Sequence, residues 1–201
     1  MRLKRVSMGK LTLDDGSTIM VERLGQGRYT EAWKAHGDIV YLRVKEGEYS
    51  KEILEVLTRT ERNIHIPKCS RVGNDTGAFT WYKMPLYFPL AASSKRAWSD
   101  FKALRKMRED AYDINRMRQM ASDVNARFDD AVQESTLSPS IKEAVALIVN
   151  EACNYGEYLI EITKKNCAVD RSGNLILLDP LFDWDEVKSA NRKLRESRGY
   201  Q

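Results

Sequence analysis

Apolar and polar positions alternate with a period of two through the first part of the chain. Leu11-Thr-Leu13 and Ile19-Met-Val21 flank Asp14-Asp15-Gly16-Ser17, and the Asp-Gly pair there is a hairpin turn signal. Ala32-Trp33-Lys34-Ala35 follows. After the His36-Gly37-Asp38 turn, the run Ile39-Val-Tyr-Leu-Arg-Val44 is β-branched and aromatic enough for a buried strand. The period then lengthens. Ile53, Val56, Leu57 and Thr60 form one stripe of a helix over residues 50–62, with Ser50 suited to the N-cap and Glu52 in the first turn, where the helix dipole favours an anion. Pro67 bars an easy continuation. Residues 69–72 and 79–84 read as two further strands around the turn Asn74-Asp-Thr-Gly77, and Pro85 and Pro89 mark an extended connector.

Residues 95–133 read as strongly helical, because Phe101, Leu104, Met107, Ala111, Ile114, Met117, Ala121, Val124 and Phe128 recur at three or four. This stretch also carries many charges and the methionines Met107, Met117 and Met120, a pattern of an amphipathic helix or of a face that docks a partner. Residues 134–138 are a break. Ser138-Pro139 then starts another helix, a cap followed by Pro at the first helical position, with Ile141, Val145, Ile148 and Ala152 on one face and Asn154-Tyr-Gly156 at its end. Two short strands follow, 167–169 and 175–178, joined by Asp170-Arg-Ser-Gly173. From Trp184 the chain is charged and reads as helical. The order predicts an α+β fold, a β-rich part with one helix over residues 1–90 and a helical part over 91–201.

With 201 residues and 42% hydrophobic positions, the chain has enough apolar material for a core, which excludes a wholly disordered protein. The net charge of +4 is too small to predict nucleic-acid binding by itself. Mean hydropathy is −0.53, and no apolar run approaches the ~20 residues of a membrane span. The first ten residues lack the apolar region of a secretory signal. Cys69, Cys153 and Cys167 are odd in number and widely spaced, which argues for a reducing cytoplasm rather than a disulfide framework. His36 and His65 are the histidines of the chain and do not make a zinc, haem or iron–sulfur site.

The candidate chemistry begins at Gly25-Gln-Gly27-Arg-Tyr29, which lies between two strands. Glycines let a backbone close over a polyphosphate without Cβ obstruction, although a lone pair of glycines is equally a turn. No helix follows, so the dinucleotide-binding fingerprint does not fit. Downstream, Arg43 and Lys45 share one strand parity, and Glu52 and Glu55 lie three apart on a helix face, where either is placed to orient a cation. Far along the chain, Glu161-Ile-Thr-Lys-Lys-Asn166 precedes the short hairpin that ends at Asp179-Pro180. Asn166 and Asp179 are hard oxygen ligands suited to Mg²⁺ bridging nucleotide phosphates.

Taken in order, these segments resemble the protein kinases. The loop Leu-Gly-x-Gly-x-Tyr-Thr-x-Ala-Trp is similar to a kinase glycine-rich loop, with Tyr29 as the aromatic tip and Ala32 facing adenine. Over roughly residues 20–185 the chain resembles most the kinase domain of the early protein kinases of lytic podoviruses, which carry Asp-Pro in place of Asp-Phe-Gly and an Ile-Pro turn after the first helix, as Ile66-Pro67 here. The resemblance implies a protein-kinase-like fold, a β-rich N-lobe followed by a reduced helical C-lobe. It also implies use of ATP and Mg²⁺, and phosphorylation of Ser or Thr in host proteins in the host cytoplasm. Carried over by position, Lys45 (or Arg43) holds the α- and β-phosphates and pairs with Glu52 or Glu55. Gly25, Gly27, Tyr29 and Ala32 line the nucleotide, Asn166 and Asp179 bind Mg²⁺, and Glu161 stands where the catalytic-loop Asp is expected.

The departures from the pattern define the alternatives. Glu161 adds a methylene to the expected Asp, and a misplacement of ~1 Å can lower a rate on the order of a hundredfold. Leu159-Ile160 replace the usual His-Arg, and the usual lysine is Thr163, with Lys164 and Lys165 beyond. The 22 residues after Asp179 leave no room for an activation segment or a full C-lobe. An active minimal kinase and a pseudokinase that binds and inhibits a host protein are both consistent with this set. A third reading, contact with nucleic acid, rests on the basic tail of Lys188, Arg192, Lys193, Arg195 and Arg198.

Overall fold

The structure, a computed structural model, describes residues 8–12, 16–27, 29–45, 49–75, 78–112 and 120–185. The chain divides into two compact units, the first taking Met1–Arg62 and Ile66–Phe88, the second Asn63–His65 and Pro89–Gln201.

The first unit is built on six antiparallel strands: β1 (Met8–Thr12), β2 (Thr18–Gln26), β3 (Thr30–Ala35), β4 (Ile39–Lys45), β5 (Ser70–Asp75) and β6 (Phe79–Pro85), in the order β1-β2-β3-β4-β6-β5. One helix, α1 (Ser50–Thr60), joins β4 to β5. Gly16, at φ 78°, supplies the left-handed residue that the first turn needs. Both faces of the sheet bury apolar side chains. Val40, Leu42 and Val44 of β4 point to one face together with Tyr82 and Met84, their partners or neighbours across β6. Glu55 of α1 ties the helix to β5 by accepting the Arg71 amide at 3.3 Å. The other face gathers Leu11, Val21 and Tyr41, with Ile19, Trp33, Ala35, Val72 and Trp81 packed against them.

Two details of α1 differ from expectation. Tyr49 occupies the N-cap, while Ser50 is the first helical residue and is buried. The buried stripe is Ile53, Leu54 and Leu57. Val56 is half-buried and Thr60 is exposed, its hydroxyl donating back to the Val56 carbonyl at 3.0 Å.

A two-residue strand, β7 (Phe88–Pro89), precedes the helices of the second unit: α2 (Lys95–Ala111), α3 (Ala121–Glu134) and α4 (Pro139–Asn154). The single helical stretch expected over 95–133 is two helices. Tyr112 leaves α2 with an extended backbone, and Met120 is extended before α3. One unbroken helix of that length would run about 60 Å, beyond what a small core can cover. The buried stripe Ala97, Phe101, Leu104 and Ala111 restarts in α3 as Ala121, Val124, Phe128 and Val132. Ile114 and Met117 lie outside the described residues. Ser138 and Pro139 start α4 as its sequence predicts, and Ile141, Val145, Ile148 and Ala152 are buried along with Ala144.

Two small hairpins complete this unit. β9 (Cys167–Val169) pairs with β10 (Leu175–Leu177), as expected, through a turn held by Asp170, whose carboxylate accepts the amides of Ser172 and Asn174 at 2.9 and 2.8 Å. β8 (Tyr158–Ile160) pairs with β11 (Leu181–Asp183), strands of three residues that carry too little periodicity to be read from sequence. The first three of these four strands are buried throughout, so their apolar runs do not alternate. No helix of the described residues is long and apolar enough to cross a membrane.

Candidate functional site

The site residues singled out above divide between the units, those from Gly25 to Glu55 in the first and Glu161, Asn166 and Asp179 in the second. In the first unit the glycine-rich segment is the β2–β3 connection. Gly25 pairs with Ala32 across a register shift, and the Gly27 amide donates to the Thr30 carbonyl at 2.7 Å. Tyr29 is half-buried and its carbonyl accepts the Lys45 amide at 2.9 Å. Neither Gly25 nor Gly27 has positive φ, and a Cβ on either would meet nothing closer than 3.6 Å. The fold therefore does not require glycine at these two positions.

Register separates the cations from the surface expected to face the base. Ala32 pairs with Leu42, so those side chains share a face. Arg43 and Lys45 are odd-numbered on the same strand and lie on the opposite face. There Arg43 pairs across the strands with Glu31 at 3.6 Å and stacks on Phe79, its guanidinium carbon 3.7 Å from the ring centre. Glu31 in turn accepts Arg23 at 2.8 Å. Lys45 is exposed and makes no ion pair among the described residues. Glu52 and Glu55 lie on the α1 side, where Glu55 accepts the Arg71 amide at 3.3 Å, and burial followed by these two carboxylates pushes the Tyr82 hydroxyl up to about 12. The structure thus brings neither Arg43 nor Lys45 to the face of Ala32, where Val44 occupies the next position and is 1% exposed. Lys51, beside Glu52, is buried at 3% exposure, a feature the sequence did not announce.

The second unit brings its three residues together. β8 delivers Glu161, whose amide donates to the Pro180 carbonyl at 2.7 Å. The Asn166 side-chain amide donates to Glu161 Oε2 at 2.6 Å. The Asn166 backbone carbonyl accepts the amides of Leu178 and Asp179 at 2.9 and 3.1 Å. One amide oxygen and one carboxylate form a donor set that fits Mg²⁺, which takes one or two protein oxygens and fills its sphere with water and phosphate. They do not form a cage of their own, and no cluster of three or more His, Cys, Asp or Glu able to hold a metal occurs among the described residues.

Around this cluster stand two residues, Asn125 and Arg108, that the sequence reading did not single out. Asn125 of α3 is 1% exposed, and it donates to the Tyr158 carbonyl at 2.8 Å and accepts the Ile160 amide at 3.1 Å. Arg108 of α2 donates through Nε to the Ile160 carbonyl. Lys164 lies 5.6 Å from the ring of Trp98. A polar residue at a core position of the α3 stripe was the one signal for Asn125. The basic tail residues 188–198 lie outside the described residues.

Among solved structures, the chain is similar to vaccinia-related kinase 3. The similarity covers 90% of this chain and 54% of that kinase, at 12% identity and a TM-score of 0.38, so the chain spans about half the length of the structure it matches. No protein-family model matches the sequence, and no curated protein matches it.

Proposed function

We propose that the chain is a protein-kinase-like domain that binds ATP with Mg²⁺ and transfers the γ-phosphoryl group to a Ser or Thr hydroxyl of a protein. The observation that carries this reading is the Glu161–Asn166–Asp179 cluster, in which a carboxylate, an amide and a second acidic residue, distant in sequence from the glycine-rich segment, meet in the order and spacing of a kinase catalytic hairpin. In this reading Asn166 and Asp179 hold the cation, which supplies charge neutralisation at the phosphates. Glu161 accepts or orients the proton of the attacking hydroxyl, and its bond from Asn166 limits the freedom that the extra methylene adds. Phosphoryl transfer depends mainly on positioning and electrostatics, which tolerates an imperfect base. The resemblance to podoviral early kinases supports a host protein as the acceptor.

A second reading, a pseudokinase that binds and inhibits a host protein, is favoured by one observation. The strand cations Arg43 and Lys45 lie on the sheet face away from Ala32, and Arg43 is engaged by Glu31 and Phe79. Radiolabelled ATP with Mg²⁺, purified protein and host lysate decides between them, beside an Asp179→Ala control. Label incorporated by the wild type and lost in the control is the expected result. Binding of ATP with no label in either sample would sink the kinase reading and leave the pseudokinase.

A further inference from the structure

β8 is a three-residue strand with nothing in its own sequence to fix its register. Tyr158, Leu159 and Ile160 are all buried, so a slip exchanges one apolar side chain for another. The register matters at the end of the strand. A slip of one residue would carry Glu161 about 3.4 Å along and turn its side chain to the other face. Glu157 and Glu161 bond across to the β11 side: the Trp184 amide donates to the Glu157 carbonyl at 2.8 Å, and the Glu161 amide donates to the Pro180 carbonyl at 2.7 Å. Tyr158 and Ile160 alternate with these residues, and their polar groups turn to the opposite edge. Among the described residues no third strand pairs there. Asn125 of α3 takes that place. Its Nδ2 donates to the Tyr158 carbonyl at 2.8 Å, and its Oδ1 accepts the Ile160 amide at 3.1 Å. One residue of a parallel neighbouring strand makes this same pair of bonds, to the carbonyl before and the amide after the residue it faces. The helix is tied to the strand a second time, one turn earlier, where the Ala121 amide donates to Glu157 Oε2 at 2.9 Å. With that bond in place, Asn125 meets Tyr158 and Ile160 only in the observed register. Asn125 also lies within the apolar stripe of Val124, Phe128 and Val132, where an apolar side chain of its size would pack without desolvating a carboxamide.

We infer that Asn125 is a positioning residue of this site: its carboxamide stands in for a neighbouring strand at the buried edge of β8 and sets the position from which the Glu161 side chain accepts the Asn166 amide. It touches neither nucleotide nor acceptor and acts only through the backbone that carries Glu161. The inference rests on the kinase-like reading for its catalytic consequence, but its structural content does not.

The experiment uses the full chain with three substitutions. Asn125→Leu keeps the volume and removes both bonds. Asn125→Ala removes them too and leaves space for water to take the two strand groups. Ser140→Ala removes a hydrogen bond elsewhere in the same unit, that of its hydroxyl with His65 Nε2 at 3.0 Å. The ¹⁵N–¹H signal of the Asn166 side chain, assigned with Asn166→Asp, reports its bond to Glu161 Oε2 whether or not the protein is an enzyme. That signal is expected to move toward the position of a solvated asparagine in Asn125→Leu and Asn125→Ala, and to stay near wild type in Ser140→Ala. Where wild type transfers phosphate, kcat is expected to fall on the order of tenfold to a hundredfold in the Asn125 variants, with KM for ATP within about twofold. An unchanged Asn166 signal in either folded Asn125 variant overturns the inference, as does equal displacement in Ser140→Ala. Loss of the fold in both Asn125 variants overturns it as well, since Asn125 would then serve the fold rather than the site. Hydrogen exchange of the wild type adds a check that needs no variant: the Ile160 amide should be as protected as the Glu161 amide, and rapid exchange at Ile160 alone would sink the idea. A displaced signal together with a wild type that transfers no phosphate keeps the inference and rejects the kinase reading.

Discussion

His65 shows how one buried side chain fixes its own protonation state. Its Nδ1 lies 2.6 Å from the Leu175 carbonyl, an acceptor only, so Nδ1 carries the proton in the neutral ring. Nε2 is then the acceptor for the Ser140 hydroxyl at 3.0 Å. Burial lowers the His65 pKa below 6.5, opposed by the bond to Leu175 and the carboxylates of Asp100 and Asp170, and assisted by the Arg96 charge. The unfolded chain therefore takes up this proton first as the pH falls. The contribution of His65 to stability is complete above pH 6.5 and declines as the pH drops below it toward the lowered folded value. Urea unfolding of wild type and His65→Gln between pH 7.5 and about 5 should show a dependence on pH in that window that the variant lacks. Parallel profiles would mean that His65 does not titrate there. Ser140→Ala should cost on the order of 1–3 kcal/mol by leaving Nε2 unpaired. None of this was legible beforehand. A histidine next to Ile66-Pro67 carries no sign of partners that lie more than seventy residues downstream.

At the scale of elements, the glycine-rich connection gives the sharpest test. The backbone at Gly25 has no need of glycine, and nothing lies within 4 Å of where its Cβ would stand. Gly25→Ala should therefore leave thermal stability within about 0.5 kcal/mol of wild type. If the segment closes over phosphates, the same change should weaken ATP affinity several-fold in a titration followed by calorimetry. Unchanged affinity would make this connection an ordinary turn. Gly173 is the contrast. Its φ of 81° demands glycine, so Gly173→Ala should destabilise the β9–β10 hairpin by about 1 kcal/mol with no bearing on nucleotide. Strands, turns and the start of α4 were readable because period and punctuation are local. The division between α2 and α3 was not, since apolar residues at three or four continue through residues 112–120 and only the extended backbones of Tyr112 and Met120 stop them. Nor was the separation of Ala32 from Arg43 and Lys45. The strand parity of the cations was plain, but the face opposite Ala32 depends on which residue of β4 pairs with it.

For the whole molecule, the three cysteines are placed to report on its parts. Cys69 is 1% exposed in the first unit and Cys167 is 3% exposed in the second, whereas Cys153 is exposed on α4. Burial pushes the Cys167 thiol up to about 12, so it supplies almost no thiolate at neutral pH. Burial and then Glu157 also raise Cys153, which slows it without hiding it. A thiol reagent should accordingly label Cys153 first in the native protein, with Cys69 and Cys167 reacting only as their surroundings open. Each unit has its own buried apolar set, and the first spans fewer residues, so it buries a smaller fraction of its chain surface on folding. With urea, Cys69 should become reactive at a lower concentration than Cys167, read by mass spectrometry of peptides after brief labelling pulses. Adding ATP and Mg²⁺ then ties the experiment to function. A ligand that binds only the native state raises the midpoint of whichever unit holds it, by about 2.7 kcal/mol of stability at a hundred times Kd. Protection of Cys167, close to Asn166 in sequence, that is abolished by Asp179→Ala would locate the nucleotide at the second unit's cluster. The same protection in Asp179→Ala would remove Asp179 from the metal site.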